Sequence, residues 1–198
     1  MATVIVRPEL SALLEQTGAL HKHLCPRQVL GVRMGMLAAE KFPIELPQSG
    51  KRLIAFVESD GCFADGISVA TGCSMGHRTL RLVDYGKVAA TFVDTLSGAA
   101  IRFFPSPDVR KRAAEFAPEA GNRWQAQLEA YQRLPNEDIV LCREVALNLD
   151  LEAIVGKPGK RTTCSACGEE VLNQREVMKD EQALCMSCAG EGYWRVKG

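Results

Sequence analysis

Cys25-Pro26-Arg27-Gln28-Val29-Leu30-Gly31-Val32-Arg33-Met34-Gly35-Met36-Leu37-Ala38-Ala39-Glu40 carries the strongest structural instruction in the chain. Proline suits the first position of a helix, where its missing N–H costs nothing, so Pro26 predicts a helix start with Cys25 just outside it. Phe42-Pro43 closes that helix. Gly31 and Gly35 stand four apart, hence on one face, and two successive missing side chains predict another backbone packed closely against them. The helix is therefore expected to be central. Cys25 lies at its N-terminus, where unpaired N–H groups and the helix dipole stabilise negative charge, an environment for a metal ligand or a nucleophile.

Working outward, Leu10, Leu13, Leu14 and Leu20 follow a helical spacing that Gly18 is expected to end, leaving His21-Lys22-His23 to begin a turn. Residues 52–58 form an apolar run that predicts a buried strand delivering Asp60 and Cys62 to its C-terminal end. Asp65-Gly66 reads as a turn, followed by a short helix over residues 67–70 that Gly72 breaks beside Cys73. Residues 78–84 and 88–94, joined through Tyr85-Gly86-Lys87, predict an antiparallel hairpin, and residues 100–104 a third strand. Residues 108–116 and 119–134 are helical in pattern and separated by Pro118, and the alternation of Leu141, Val145, Leu147 and Leu149 predicts a last strand. Gly156-Lys157-Pro158-Gly159-Lys160 marks a linker. The expectation is an α+β fold, a mixed or antiparallel sheet packed with helices over residues 1–156, and a small zinc module over residues 157–198.

The 198 residues carry 24 basic and 24 acidic side chains. Split at Gly156, the counts are 17 against 18 and then 7 against 6, so neither part is basic. Nucleic-acid affinity comes largely from Lys and Arg neutralising phosphates, so the balance argues against that partner. No stretch approaches the roughly 20 apolar residues of a membrane span, and the N-terminus lacks the features of a signal peptide. The expected location is the cytoplasm, with no membrane partner. In that reducing compartment eight cysteines read as metal ligands, catalytic thiols or buried small hydrophobes rather than as disulfides.

Seven of the eight fall into two regions. Cys164-x-x-Cys167 and Cys185-x-x-Cys188, separated by 17 residues, can each clamp one edge of a tetrahedral ion, and four thiolates predict a structural zinc with no open position. Tyr193 and Trp194 are expected to cover this module's core or to dock it on a partner. The other region joins His21, His23 and Cys25 to Cys62 and Cys73. On a helix His21 and Cys25 would share a face, whereas in an extended turn His21, His23 and Cys25 would all point to one side. If His23, Cys25 and Cys62 alone bind metal, a fourth position stays open, as in catalytic or exchangeable sites. Asp60 and Asp65 fit either groups that orient an imidazole or move protons, or plain turn formers. Cys73 fits a third thiolate, a resolving thiol or a buried small residue. His77 reads as a surface or packed histidine, Lys87 as a hairpin lysine that adds positive charge to the site or is solvated, and Cys142 as core packing.

Taken in order, His21-x-His23-x-Cys25-Pro26, Leu30-Gly31-x-Arg33-Met34-Gly35, Asp60-Gly61-Cys62-x-x-Asp65-Gly66-Ile67, Thr71-Gly72-Cys73-Ser74-x-Gly76 and Tyr85-Gly86-Lys87 resemble the FmdE family, which takes its name from formylmethanofuran dehydrogenase. The resemblance spans about residues 10–150. It implies an α+β core that dimerises, a treble-clef finger in the four-cysteine tail, and a metal pocket lined by His21, His23, Cys25, Cys62 and Cys73 with Asp60, Asp65 and Lys87 nearby. Arg27 stands where the family commonly has glycine, and a guanidinium there either binds an anion or points to solvent.

The expected function is a metal-binding accessory protein that handles or senses a metal, or a metal-bound ligand, for a molybdenum- or tungsten-type oxidoreductase partner. It would hold structural zinc in the tail and a second ion, zinc or another transition metal, in the core. Two alternatives stand beside it: a metal-dependent enzyme in which a His/Cys-bound ion with an open position activates water or substrate, and a zinc-finger regulator.

Overall fold

The structure is a computed structural model that describes residues 8–155, 159–195 and 197. It divides into two compact units, Met1–Leu149 and Asp150–Gly198. The first three residues of the expected linker, Gly156, Lys157 and Pro158, lie outside the described residues.

In the first unit, α1 (Leu10–His21) turns Leu13, Leu14 and Thr17 inward and runs through Gly18, the expected stop. It ends where Lys22 takes a left-handed conformation, φ +60°. Two helix turns of inward-facing apolar contact outweigh the modest cost of one helical glycine. α2 (Pro26–Lys41) starts at the expected proline and is buried along most of its length. Against it lies α3 (Cys62–Thr71), longer than expected because Asp65-Gly66 is helix rather than turn. The reason is close approach. A Cβ on Gly31 would meet the Phe63 carbonyl oxygen at 2.3 Å, and one on Gly66 would meet the Gln28 carbonyl oxygen at 2.4 Å. The glycines of each helix thus admit the backbone of the other, and the contact predicted for the face of Gly31 and Gly35 is made by α3.

The sheet holds β1 (Leu53–Val57), β2 (Leu80–Leu82), β3 (Ala90–Asp94), β4 (Ala100–Pro105) and β5 (Val140–Glu144) in the order β2-β1-β3-β4-β5. β1 pairs with β2 in parallel, and the other pairs are antiparallel. The expected hairpin between residues 78–84 and 88–94 is therefore not formed: β1 lies between the two strands. All five residues of β1 are buried, which an apolar strand achieves with partners on both sides. The chain crosses the end of β1 because Tyr85 and Lys87 both donate backbone N–H groups to the Glu58 carbonyl, each at 3.0 Å.

Leu13, Val29, Met34, Phe63, Ile67 and Phe92 belong to the core that the sheet and helices enclose. α4 (Val109–Phe116), α5 (Arg123–Arg133) and the short α6 (Asn136–Ile139) lead back to β5. Cys142, expected in the core, is exposed, because β5 is an edge strand whose residues beyond Val140 face solvent.

The second unit contains α7 (Leu151–Val155), the hairpin β6 (Arg161–Thr163) with β7 (Glu170–Leu172), the hairpin β8 (Val177–Lys179) with β9 (Gln182–Leu184), and a wide helical turn, Ser187–Glu191. Each hairpin brings one cysteine pair to its end. Tyr193, 98% exposed, does not cover the module's interior, and Trp194 is half-exposed at 52%. Among the described residues no helix is long and apolar enough to cross a membrane.

Candidate metal centres

The core cluster forms where three helix ends meet. His21 is the last residue of α1, Cys25 immediately precedes α2, and Cys62 opens α3. Gly61, at φ +74° and ψ −155°, makes the turn from β1 into α3 in a region that side chains avoid, which sets Cys62 at the first helical position. Asp65, three residues on, shares its face of α3.

His21 bridges the two. Its Nε2 lies 2.5 Å from Asp65 Oδ2, and its Nδ1 lies 4.0 Å from Cys62 Sγ. A carboxylate accepts only, so the bond to Asp65 assigns the ring proton to Nε2 and leaves the Nδ1 lone pair toward the sulfur. A carboxylate that orients an imidazole in this manner is the usual support of a metal-ligating histidine. Burial pushes the Cys62 thiol up, and the neighbouring Cys25 thiol adds to the shift. Without a cation the Cys62 thiol stays protonated; a bound cation would invert that preference.

The remaining residues are placed differently. His23 is exposed, its Nδ1 2.9 Å from the His21 carbonyl oxygen and its ring edge-on to that of His21 at 5.9 Å. Asp60 is exposed and lines a pocket of about 280 Å³ together with Asp65. Cys73 lies beyond the far end of α3, and a ten-residue helix is about 15 Å long, so it stands well away from Cys62. Its thiol is buried, accepts from Gln48 Nε2 at 3.4 Å and donates to the Leu53 carbonyl at 3.5 Å. Burial pushes that thiol up. Lys87 lines a cleft together with Pro26 and Arg27, which follow Cys25. The fold thus joins His21, Cys25, Cys62 and Asp65, sets His23 beside them, places Lys87 on a cleft that Pro26 and Arg27 also line, and does not bring Cys73 to them.

Two residues with no role assigned from the sequence hold this corner. Gln28 accepts the Cys25 N–H at 2.7 Å and donates to the Thr17 carbonyl at 2.7 Å, tying α1 to the start of α2. Its position three residues after Cys25 is the reciprocal place in a capping box, which is the signal that could have found it. Arg33, only 8% exposed, donates to Asn136 Oδ1 and to the carbonyls of Tyr131 and Leu134 at 2.6–2.9 Å, fastening α2 to the end of α5.

The tail cluster is tighter. The ligand atoms of Cys164, Cys167, Cys185 and Cys188 all lie within 4.8 Å of one another, the one such group among the described residues. Cys167 and Cys185 sulfurs are 3.9 Å apart, and a tetrahedral ion with Zn–S bonds of about 2.3 Å sets its sulfurs roughly 3.8 Å apart. The Cys185 N–H donates to Cys164 Sγ at 3.2 Å and the Cys188 N–H to Cys185 Sγ at 3.4 Å. Backbone N–H groups, that of Cys185 foremost, hold the Cys164 thiol down to about 6. The sulfurs of Cys185, Cys167 and Cys164 push Cys188 up to about 12. The first proton leaves easily and the last needs a cation, so the donor set fits a metal such as zinc.

Comparison with known proteins places this geometry. The family model described as "FmdE, Molybdenum formylmethanofuran dehydrogenase operon" matches residues 20–141, which hold all of the core cluster. The chain belongs to the FmdE family. A probable S-adenosyl-L-methionine-binding protein of Archaeoglobus fulgidus is 30% identical over 208 residues, covering 96% of this chain and 56% of that protein. The chain thus spans about half the length of that curated relative. The crystal structure of an FmdE-like protein of tungsten formylmethanofuran dehydrogenase type, from Syntrophus aciditrophicus, superposes with a TM-score of 0.63 at 24% identity, over 98% of this chain and 100% of that one, which shows the shared fold.

Proposed function

We propose that this FmdE-family chain is an accessory protein that handles or senses a metal ion, or a metal-bound ligand, for a molybdenum- or tungsten-type oxidoreductase. The observation that carries the reading is His21, oriented by Asp65 through Nε2 and presenting Nδ1 to Cys62 at 4.0 Å, with Cys25 beside that thiol. An imidazole and two thiols suit zinc or another borderline ion and leave a coordination position for a ligand or a receiving protein. His23, at the exposed edge of the cluster, is a candidate to complete the shell in exchange. Zinc in the tail would be structural, in a treble-clef arrangement, because four thiolates leave it no open position. A cytoplasmic location fits eight cysteines kept as thiols. A homodimer is part of the proposal, with the exposed edge strand β5 available for pairing.

Metal content per chain, measured on full-length protein purified without added metal, tests the reading. Two equivalents are expected, one lost in Cys25→Ser and the other in Cys185→Ser. A native content of one equivalent that Cys25→Ser leaves unchanged would remove the core ion. An ion that exchanges readily into a chelator supports handling or sensing; a tightly held ion accompanied by turnover of a substrate would favour the metalloenzyme instead.

The similarity to a probable S-adenosyl-L-methionine-binding protein of Archaeoglobus fulgidus supports a second reading, in which the core binds S-adenosylmethionine. Equilibrium dialysis with that compound tests it directly.

A further inference from the structure

We propose that the cleft between the start of α2, the end of β4 and α5 binds a small phosphorylated organic molecule. It lies wholly within the first unit, and its basis is independent of the metal reading. The cleft holds about 540 Å³, within the range of small-molecule sites and far more than a bare inorganic ion fills.

Its walls carry Arg27, Lys87, Arg102 and Arg110, and no carboxylate residue lines it. Glu58 neutralises Arg102 through a two-pronged ion pair at 2.6 and 2.7 Å. The other three cations face the cleft uncompensated: among the described residues neither Arg27 nor Arg110 has a carboxylate partner, and Lys87 has only the Tyr85 ring, 6.0 Å away. Like charges gathered around one concavity repel unless an anion joins them. The N-terminus of α2, with Pro26 and Arg27 on the wall, adds the positive end of a sixteen-residue helix.

The charge selects the ligand class. Three uncompensated cations match a di- or triphosphate better than a single carboxylate, and guanidinium forks meet phosphate oxygens two at a time. Leu30 and Tyr131, both buried, and Phe104, whose ring carries the guanidinium groups of Arg102 and Arg143 at 5.2 and 4.8 Å, line the floor beside the cations. That lining and a volume of about 540 Å³ leave room for an organic body beside the phosphates, which distinguishes an organic phosphate from a free one. S-adenosylmethionine carries net positive charge and is disfavoured here on the same grounds.

Calorimetric titration of the full chain at low salt, with adenosine 5′-diphosphate and inorganic pyrophosphate as probes, tests the proposal. Saturable binding of the nucleotide below about 1 mM is expected. Arg27→Ala and Arg110→Ala should each weaken it by about tenfold or more, the worth of one charge-assisted hydrogen bond. Arg133→Ala, a cation outside the cleft that pairs with Glu129 at 2.9 Å, should leave it unchanged. Arg27 and Arg110 are exposed, so the variants should fold, and Arg110→Lys, which keeps the charge but loses the fork, should weaken binding less than Arg110→Ala does. Failure of the native chain to saturate with nucleotide would overturn the proposal. So would equal weakening by Arg133→Ala, or saturation by S-adenosylmethionine in place of the phosphates. Equal affinity for pyrophosphate would overturn the organic part of the ligand.

Discussion

Replacing Gly66 by alanine should destabilise the core by about 2 kcal/mol, through the contact that also sets the cluster's geometry. The added Cβ would stand 2.4 Å from the Gln28 carbonyl oxygen and 3.0 Å from the Val32 nitrogen, both backbone atoms that no rotamer change can move. Ordinary contact begins at 3.4 Å, so α2 and α3 must part by about 1 Å along this line. Overpacking of this kind costs up to about 3 kcal/mol, and alanine's better helix propensity returns about 1 kcal/mol. In a chain of this size the remainder lowers Tm by about 4–8 °C. The assay is denaturant unfolding followed by circular dichroism, with Gly76→Ala as the control because a Cβ there meets nothing within 4 Å. Adding Gly31→Ala, whose Cβ would meet the Phe63 carbonyl oxygen at 2.3 Å, should cost less than it does alone, since the helices have already separated. The same separation would carry Cys62 away from Cys25. A Gly66→Ala chain as stable as the parent would refute the claim that backbone contact locks these helices.

Arg33→Leu leaves the Tyr131 and Leu134 carbonyls without their donor and should lower stability by about 3 kcal/mol, read as a shifted urea midpoint. At Asp94, burial pushes the carboxyl up, but Arg52, the Ser97 hydroxyl and the Leu96 N–H together outweigh it and hold the group below the usual carboxylate range. A carboxyl depressed by folding contributes stability that is present above its unfolded value, about 3.9, and lost as pH falls through the folded one, so Asp94→Asn should flatten the acid limb of a stability–pH curve. In the tail, Cys188 sits at about 12, so at neutral pH an incoming ion must displace its proton. Zinc binding should therefore release protons in a pH-stat and tighten as pH rises, while Cys188→Ser should lose the tail ion and leave the core's urea midpoint unchanged.

Pro26, Gly31 and Gly35 were legible because each has a local physical meaning: a helix start, and a face too bare to be anything but a close contact. The spacing of the tail cysteines was legible for the same reason, since two pairs of sulfur ligands need little else to meet. Gly66 was misread as a turn residue because its function is non-local: the atom that excludes a side chain there belongs to Gln28, on another helix. The pairing of β2 was misread because a two-strand hairpin is the cheapest local interpretation of Tyr85-Gly86-Lys87, whereas the loop's N–H groups are taken by Glu58 at the end of β1. Arg33 was visible as part of a motif, but its partners lie about a hundred residues away and no local pattern names them.

That non-locality bears on the cluster itself. His21, Cys25 and Cys62 sit on three helix ends, and their spacing depends on how those helices pack rather than on any one segment's conformation. Gln28 fixes the first junction by joining Thr17 of α1 to Cys25 of α2. The glycine contacts fix the second by setting the distance between α2 and α3. Asp65 then spans back to His21, closing a loop of constraints around the core site proposed above. A site held by packed backbones changes geometry in discrete steps rather than continuously. If the core holds the proposed ion, its exchange is expected to proceed through the exposed His23 and the turn at Lys22, whose left-handed backbone links the two histidines, while α2 and α3 stay in contact.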